Sequence, residues 1–318
     1  MSYIPPYSIT PKIINLVSKI SEAIGGYYGK ENLRLHRINR IKTIQGSLAI
    51  EGNTLNTDQI TAILEGKPVI APINEVQEIK NAITAYQLLD ELNPNKVDDL
   101  LKAHLTMEAG LLDDAGRFRA KGVGVASGED IVHYAPPAER VPYLIRDLFD
   151  WLEKTEEHPL IKSAVFHYEF EFIHPFSDGN GRTGRLWQTL ILSKWRPVFK
   201  NLPIENIVYK YRKEYYEAIA VSGGKNGCTP FIEFILGVID ETWAMEKNTP
   251  FPMRDRILSE IADNPRITRS ELAVVLGLTP DGIKYHLQKM VKEGAIIRKG
   301  STRNGYWEIS DKSHEGCV

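Results

Sequence analysis

His174-Pro175-Phe176-Ser177-Asp178-Gly179-Asn180-Gly181-Arg182-Thr183-Gly184-Arg185 is the stretch from which the rest of the chain is read. Ahead of it, Ile161 to Ile173 is largely apolar and compatible with a helix, and behind it Leu186 to Leu192 suits a buried one. The pattern predicts helix, tight turn, helix, with the second helix starting near Gly181 or Arg182. A helix N-terminus offers N–H groups without intrahelical partners and positive partial charge, which suits an anion. Gly179 and Gly181 let the backbone approach a ligand closely. Arg182 and Arg185 are three apart, so both can face one polyanion. Asp178 supplies a hard oxygen suited to Mg2+, and His174 a base that titrates near neutrality. Each residue alone has an ordinary explanation, Asn-Gly as a turn above all. Their joint order describes a site for phosphoryl chemistry.

The stretch matches at every defined position the signature H-x-F-x-D/E-G-N-G-R-x-x-R, and on it the chain resembles the Fic family. The resemblance implies a nucleotidyltransferase that moves AMP from ATP to a Ser, Thr or Tyr hydroxyl of a target protein, and of itself. It implies His174 as general base on the hydroxyl and Asp178 as the Mg2+ ligand. Gly179, Asn180 and Gly181 would hold the α-phosphate, Arg182 the β-phosphate and Arg185 the γ-phosphate. Thr183 and Gly184 are counted with the ATP-binding stretch, and Phe176 anchors the loop. Glycine at position 181 fits the AMP-transferring pattern, since phosphate-transferring relatives depart there.

Upstream, Ser47-Leu48-Ala49-Ile50-Glu51-Gly52 closes a helical segment, with Gly52 as its stop. Glu51 falls in the last turn, where the helix dipole disfavours an anion, and Ser47 lies four residues earlier on the same face. By itself this is a solvated surface glutamate. Beside the motif it resembles the inhibitory helix of the same family, in which such a glutamate pairs with the second arginine, here Arg185, and obstructs the γ-phosphate.

Length and composition allow this reading. The chain has 318 residues, enough for two or three domains with buried cores. A formal net charge of −2 gives no overall reason to expect a nucleic-acid or membrane partner. The first residues lack the basic start and apolar run of a secretory signal, and no apolar run approaches a membrane span. Cys228 and Cys317 are too few for a disulfide framework or a zinc site. A cytoplasmic location is the resulting expectation.

Helical spacing is read over Ile9 to Tyr28 and Glu31 to Ile50, broken at Gly25-Gly26. A short helix capped by Asn56 or Thr57 ends at Gly66-Lys67-Pro68, and Ile73 to Leu92 is a strongly amphipathic helix. Lys96 to Met107 is another, on which His104 reads as packing. Gly116 to Tyr134 reads as a β-hairpin, with Ser127-Gly128-Glu129-Asp130 as its turn. In the resembled family such a flap positions the target by main-chain pairing, the β-augmentation mode. Helices follow from Val141 through Leu152, over Tyr211 to Ala220 and over Pro230 to Glu246. Tyr215-Tyr216 resembles a family tyrosine pair near the adenine, and packing accounts for it equally well.

Asn248-Thr249-Pro250-Phe251-Pro252 reads as a linker. Beyond it, Arg254 to Ala262, Ser270 to Leu276 and Asp281 to Glu293 are short helices. Ile296 to Arg298 and Gly305 to Ile309 follow as a two-stranded wing, and the whole resembles a winged helix-turn-helix. From Arg266 to Arg303 eight basic residues face three acidic ones. Lys284, His286 and Lys289 fall on the expected recognition helix, so DNA contact and protein docking are both open.

The fold class expected is mainly α: a Fic helical core with a β-hairpin flap, plus a small C-terminal winged helix-turn-helix. The division is residues 1–95 with the inhibitory helix, 96–248 as catalytic core and 249–318 as winged helix. The partners expected are ATP with Mg2+, a hydroxyl-bearing protein and DNA as one alternative, with no membrane and a homodimer left open. Two rival readings are a DNA-binding regulator that senses nucleotide and a transferase using another nucleotide donor.

Overall fold

The computed structural model of the chain describes residues 3–25, 33–122, 124–127, 130–224, 226–248, 253–301 and 305–310. The chain divides into two compact units, residues 1–27 with 39–247 and residues 28–38 with 248–318. The mainly α architecture expected from periodicity is present.

The helices preceding the hairpin are α1 (Pro11–Gly25), α2 (Leu33–Ile50), α3 (Thr57–Leu64), α4 (Ile73–Gln87) and α5 (Val97–Met107). Asn56 caps α3 through a reciprocal box with Gln59, which settles the start of that helix. The long amphipathic segment is α4 followed by a single 3-10 turn at Leu88–Asp90, so the α-helix ends five residues before Leu92. Strands β1 (Gly124–Ser127) and β2 (Asp130–Tyr134) pair antiparallel, with a register shift between Val125 and Ala126. The expected turn at Gly128-Glu129 and the break at Gly26 lie outside the described residues.

Helices α6 (Val141–Lys154), α7 (Pro159–Ile173) and α8 (Asn180–Trp195) follow. Both α7 and α8 are buried on nearly every side, as helices without a continuous polar face must be. They pack together at the centre of the larger unit, with Phe166, Phe170, Phe176 and Trp187 in one core. That burial fixes the turn between them. Helices α9 (Ile204–Lys210), α10 (Arg212–Val221) and α11 (Thr229–Asn248) complete the unit. The seven-residue α9 has no signal in sequence, because it is too short to display a period; burial of Ile204, Ile207 and Val208 holds it.

The smaller unit contains α12 (Met253–Asp263), α13 (Arg269–Leu276) and α14 (Pro280–Lys292), with β3 (Ile296–Lys299) antiparallel to β4 (Tyr306–Ile309). Thr268 and Thr279 cap α13 and α14, and Gly277 ends α13 in the left-handed region at φ 68°. Ile257, Ile261, Leu272, Ile283, Leu287 and Ile296 give this unit its own core. The expected linker residues 249–252 lie outside the described residues. Among the described residues no helix is long and apolar enough to cross a membrane.

Candidate active site

The last N–H bond of α7 runs from His174 to the Phe170 carbonyl at 2.9 Å, and His174 then turns left-handed, at φ 50° and ψ 63°. It is the one non-glycine residue with positive φ among the described residues. Such a conformation costs about 1–3 kcal/mol and persists where surrounding structure enforces it. Asn180 closes the loop that follows. Its Oδ1 accepts from the Phe176 N–H at 2.9 Å, and its Nδ2 donates to the Phe176 carbonyl at 3.0 Å. The Asn180 side chain is thereby engaged within the loop, and what it can offer a ligand is its main-chain N–H.

Phe176 is fully buried and stacks on His104, with ring centroids 3.6 Å apart and planes 6° from parallel. His104 Nδ1 accepts from the Gly116 N–H at 2.8 Å, which leaves the ring proton on Nε2 to be donated to the Asp178 carbonyl at 3.0 Å. Burial pushes His104 down to about 4, so the ring is neutral as this tautomer requires. Read from sequence as packing, His104 also ties α5 to the motif loop.

Helix α8 begins at Asn180, one residue before the expected start, with Gly179 at its N-cap in the left-handed region at φ 76°. A Cβ on Gly179 would collide with the Glu108 carboxylate, and one on Gly181 with the Glu51 carboxylate. Asp178 is 67% exposed, and its Oδ1 accepts from the Gly179 N–H at 2.6 Å. Thr183 and Gly184, expected at the nucleotide, are buried; a Cβ on Gly184 would meet Glu171, Phe170 and His167 of α7. They lie on the packed side of α8.

The two motif arginines have carboxylate partners of different kinds. Arg182 stands among Glu78 at 3.5 Å, Glu108 at 3.2 Å and Asp178 at 3.3 Å. Glu108 is 1% exposed, and its oxygens accept no hydrogen bond, so charge alone pairs it with Arg182. Its pKa is pushed up to about 8 by burial, which the Arg182 charge offsets only in part. Arg185 is 2% exposed. Its Nη2 donates to Glu51 Oε1 at 2.7 Å and to the Ser47 carbonyl at 2.8 Å, and its Nε to Ser47 Oγ at 3.2 Å. Burial works against the Arg185 charge, but Glu51, Tyr215 and Glu171 outweigh it and hold the pKa above its ordinary value. Its Nη1 is buried without a hydrogen-bond partner. That donor is what an incoming anion would satisfy.

Glu51 is held where it is by the end of α2. The Gly52 N–H bonds the Ala49 carbonyl at 3.1 Å and the Asn53 N–H the Leu48 carbonyl at 3.1 Å, a Schellman closure with Gly52 at φ 102°. Asn53 in turn donates to Glu78 of α4 at 2.7 Å. The Glu51 side chain is 36% exposed, so unlike Glu108 it can swing out. Nothing lies within 4 Å of a Cβ on Gly52, and only its backbone angle resists substitution. Gly52→Ala is therefore expected to cost about 1–2 kcal/mol, read as a lower thermal midpoint together with a looser Glu51–Arg185 pair.

His174 is 17% exposed, with Nδ1 buried, unpartnered and 4.0 Å from Glu171 Oε2. Burial pushes His174 down to about 4, and the Arg119 charge acts in the same direction against opposing Glu51 and Asp178. Glu171, also buried, is pushed up to about 8. Tyr215 is buried, hydrogen-bonded to His167 Nε2 at 3.1 Å, and belongs to the packing behind the motif. The structure thus brings His174, Asp178, the α8 N-terminus, Arg182, Arg185, Ser47 and Glu51 together. Sequence reading gave no site role to Glu78, Glu108, Glu171 or Arg119; the partners of Glu78, Glu108 and Arg119 lie mostly elsewhere in the chain, whereas Glu171 sits within about one helical turn of His167 and His174.

The sequence model of the Fic/DOC family matches residues 93–192, and that of a winged helix-turn-helix DNA-binding family matches residues 255–297. The chain is 34% identical over 205 residues to the protein adenylyltransferase fic-1 of Caenorhabditis elegans, covering 59% of this chain and 37% of that protein. It is 30% identical over 243 residues to the protein adenylyltransferase Fic of Aedes aegypti, covering 70% and 46%. It therefore spans less than half the length of these two relatives. The crystal structure of a Fic family protein from Desulfovibrio desulfuricans superposes with a TM-score of 0.75 at 42% identity, covering 97% of this chain and 98% of that one. Fic-1 (aa134–508) from C. elegans gives 0.61 at 26% identity, covering 75% and 73%.

Proposed function

The chain belongs to the Fic/DOC family, and from that premise we propose that it is a protein adenylyltransferase. It transfers AMP from ATP to a Ser, Thr or Tyr hydroxyl of a target protein and of itself, and Glu51 holds it inhibited. The observation that carries this reading is the placement of a neutral base, His174, beside a glycine-lined helix N-terminus flanked by two buried arginines.

In the proposed step His174 removes the proton of the target hydroxyl, whose oxygen attacks the α-phosphorus. The bond from that phosphorus to the α–β bridging oxygen breaks and pyrophosphate leaves, its charge held by Arg182 and Arg185. N–H groups at the start of α8 hold the α-phosphate oxygens, and Arg185 Nη1 gains an acceptor in the γ-phosphate. Asp178 is the residue that would hold Mg2+. One exposed carboxylate suits this ion, which keeps several waters and takes its other oxygens from substrate phosphates. Bound there, the ion would neutralise phosphate charge. Thr183 and Gly184 are assigned no contact with ATP. Residues 1–95, 96–248 and 249–318 then act as regulatory, catalytic and winged-helix parts. A cytoplasmic setting fits the supply of ATP, and transfer between copies would involve a homodimer.

The test is incubation of wild type and Glu51→Gly with Mg2+ and ATP radiolabelled on the α-phosphate, beside other nucleotide donors. Label on protein from ATP supports the reading, and preferential label from another donor would replace it with the donor variant. Acid dependence provides a second check. Because burial lowers the His174 pKa to about 4, the neutral base persists as pH falls through 6.5 and is lost near 4. The acid limb of kcat/KM in Glu51→Gly is therefore expected below pH 5 (the lost carboxylate had favoured protonation), and a limb near 6.5 would contradict the environment described.

A second role, DNA contact, is supported for the smaller unit by exposed Lys284 and Lys289 on α14, within the matched winged-helix region. Duplex affinity is expected to fall steeply with salt, and Lys284→Ala with Lys289→Ala to reduce the log–log slope by about 2. Binding indifferent to salt, or none, assigns the unit to protein docking.

A further inference from the structure

Arg119 lies outside the motif and outside the mechanism just given, yet it is a buried guanidinium at the foot of the hairpin. Its Nε donates to the His174 carbonyl at 2.7 Å, and its Nη2 to the Ile173 carbonyl at 3.3 Å and the Pro136 carbonyl at 2.6 Å. Its Nη1 donates to the Lys121 carbonyl at 2.8 Å, and its main-chain N–H to the Pro175 carbonyl at 2.9 Å. Lys121 lies just before β1 and Pro136 just after β2. One planar group therefore joins both stalks of the hairpin to the peptide units on either side of the left-handed His174.

This arrangement does two things. Charge-assisted donation to the Ile173 and His174 carbonyls fixes a backbone turn that a histidine adopts only under constraint. Donation to Lys121 and Pro136 fixes where the hairpin leaves and rejoins the core. We propose that Arg119 is a positioning residue that holds the hairpin and the His174 imidazole in one frame, so that a hydroxyl on an extended segment paired along the hairpin arrives in line with the base. The proposal rests on the AMP-transfer reading. What it adds is the residue that aligns the target segment with the base.

Lysine cannot replace this group, because a tetrahedral ammonium lacks the planar fork needed to reach carbonyls on two stalks and a turn together. The test uses the full chain carrying Glu51→Gly, with Arg119→Lys and Arg119→Ala added separately. Nucleotide affinity is measured by titration, transfer by labelled ATP, and backbone protection by hydrogen exchange. In Arg119→Lys, kcat for transfer is expected to fall on the order of a hundredfold, the size of effect that an ångström of misplacement produces. The Kd for Mg-ATP should stay within about twofold, because the phosphate cradle on α8 is separate from this group. Exchange should rise at residues 121–136 and 173–176 while α8 and α11 remain protected. Guanidinium added to Arg119→Ala should restore part of the rate by filling the vacated site.

Transfer at the parent rate with unchanged exchange in both segments would overturn the proposal. So would a loss of nucleotide affinity matching the loss of rate, which would mark general damage to the cradle. Should Glu51→Gly itself transfer nothing from any donor, the adenylyltransferase reading fails, and exchange still decides whether Arg119 joins hairpin to turn.

Discussion

Glu51→Gly is expected to raise AMP transfer, self-modification included, by two to three orders of magnitude at saturating Mg-ATP. Arg185 is almost completely buried, and an uncompensated charge there would be destabilising by about 3–5 kcal/mol. Glu51 provides the compensation at 2.7 Å. Under the proposed function ATP displaces that carboxylate to place its γ-phosphate, and a difference of about 3–4 kcal/mol corresponds to roughly 200- to 1,000-fold in rate. Arg185→Ala in the Glu51→Gly background should reverse most of the gain, because the γ-phosphate then has no guanidinium to find. Ser47→Ala alone removes one 3.2 Å hydrogen bond, and about 1 kcal/mol translates into a several-fold rise. Turnover of Glu51→Gly against wild type decides the matter, and equal rates would leave Glu51 an ordinary surface carboxylate.

His174→Ala is expected to reduce transfer by roughly 10²- to 10⁴-fold, the usual contribution of a positioned base. ATP binding should persist, since the α8 N-terminus and both arginines are untouched. Alanine fits poorly at φ 50°, whereas asparagine tolerates the left-handed region. His174→Asn therefore separates loss of the base from loss of the turn. Titration with Mg-ATP beside the labelling assay checks both halves, and substantial residual transfer by either variant would remove His174 from the role of base.

The motif and the helices around it were legible because each is a local arrangement, whereas the Ser47–Glu51 pattern gained its meaning only from the resemblance to a family pattern. Fixed spacing along one helix places side chains on a face whatever the rest of the chain does. The same geometry explains where local reading stopped. Residues 182 and 185 share a face, whereas 183 and 184 turn away from it, and only the position of α7 shows that their side is packed. Glu108 follows an unremarkable helix end, and its meaning depends on Arg182, which folding brings to it from the next-but-two helix. Arg119 has the same character: its partners are main-chain carbonyls, and a carbonyl leaves no trace in the letters of a sequence. The helix α9 is invisible for a third reason, being held by burial alone.

The Glu51–Arg185 contact joins residues 134 apart in the sequence, one just past the last residue of α2 and the other in the second turn of the buried α8. Under the proposed function, the resting rate of the wild-type protein divided by that of Glu51→Gly is then the equilibrium constant for lifting one helix end. A ratio of one in a thousand corresponds to about 4 kcal/mol for that excursion. The leak of the resting enzyme is in this sense a thermometer of local order. Mild heat or dilute denaturant, applied below the point at which α7 and α8 separate, should speed the reaction before it stops it.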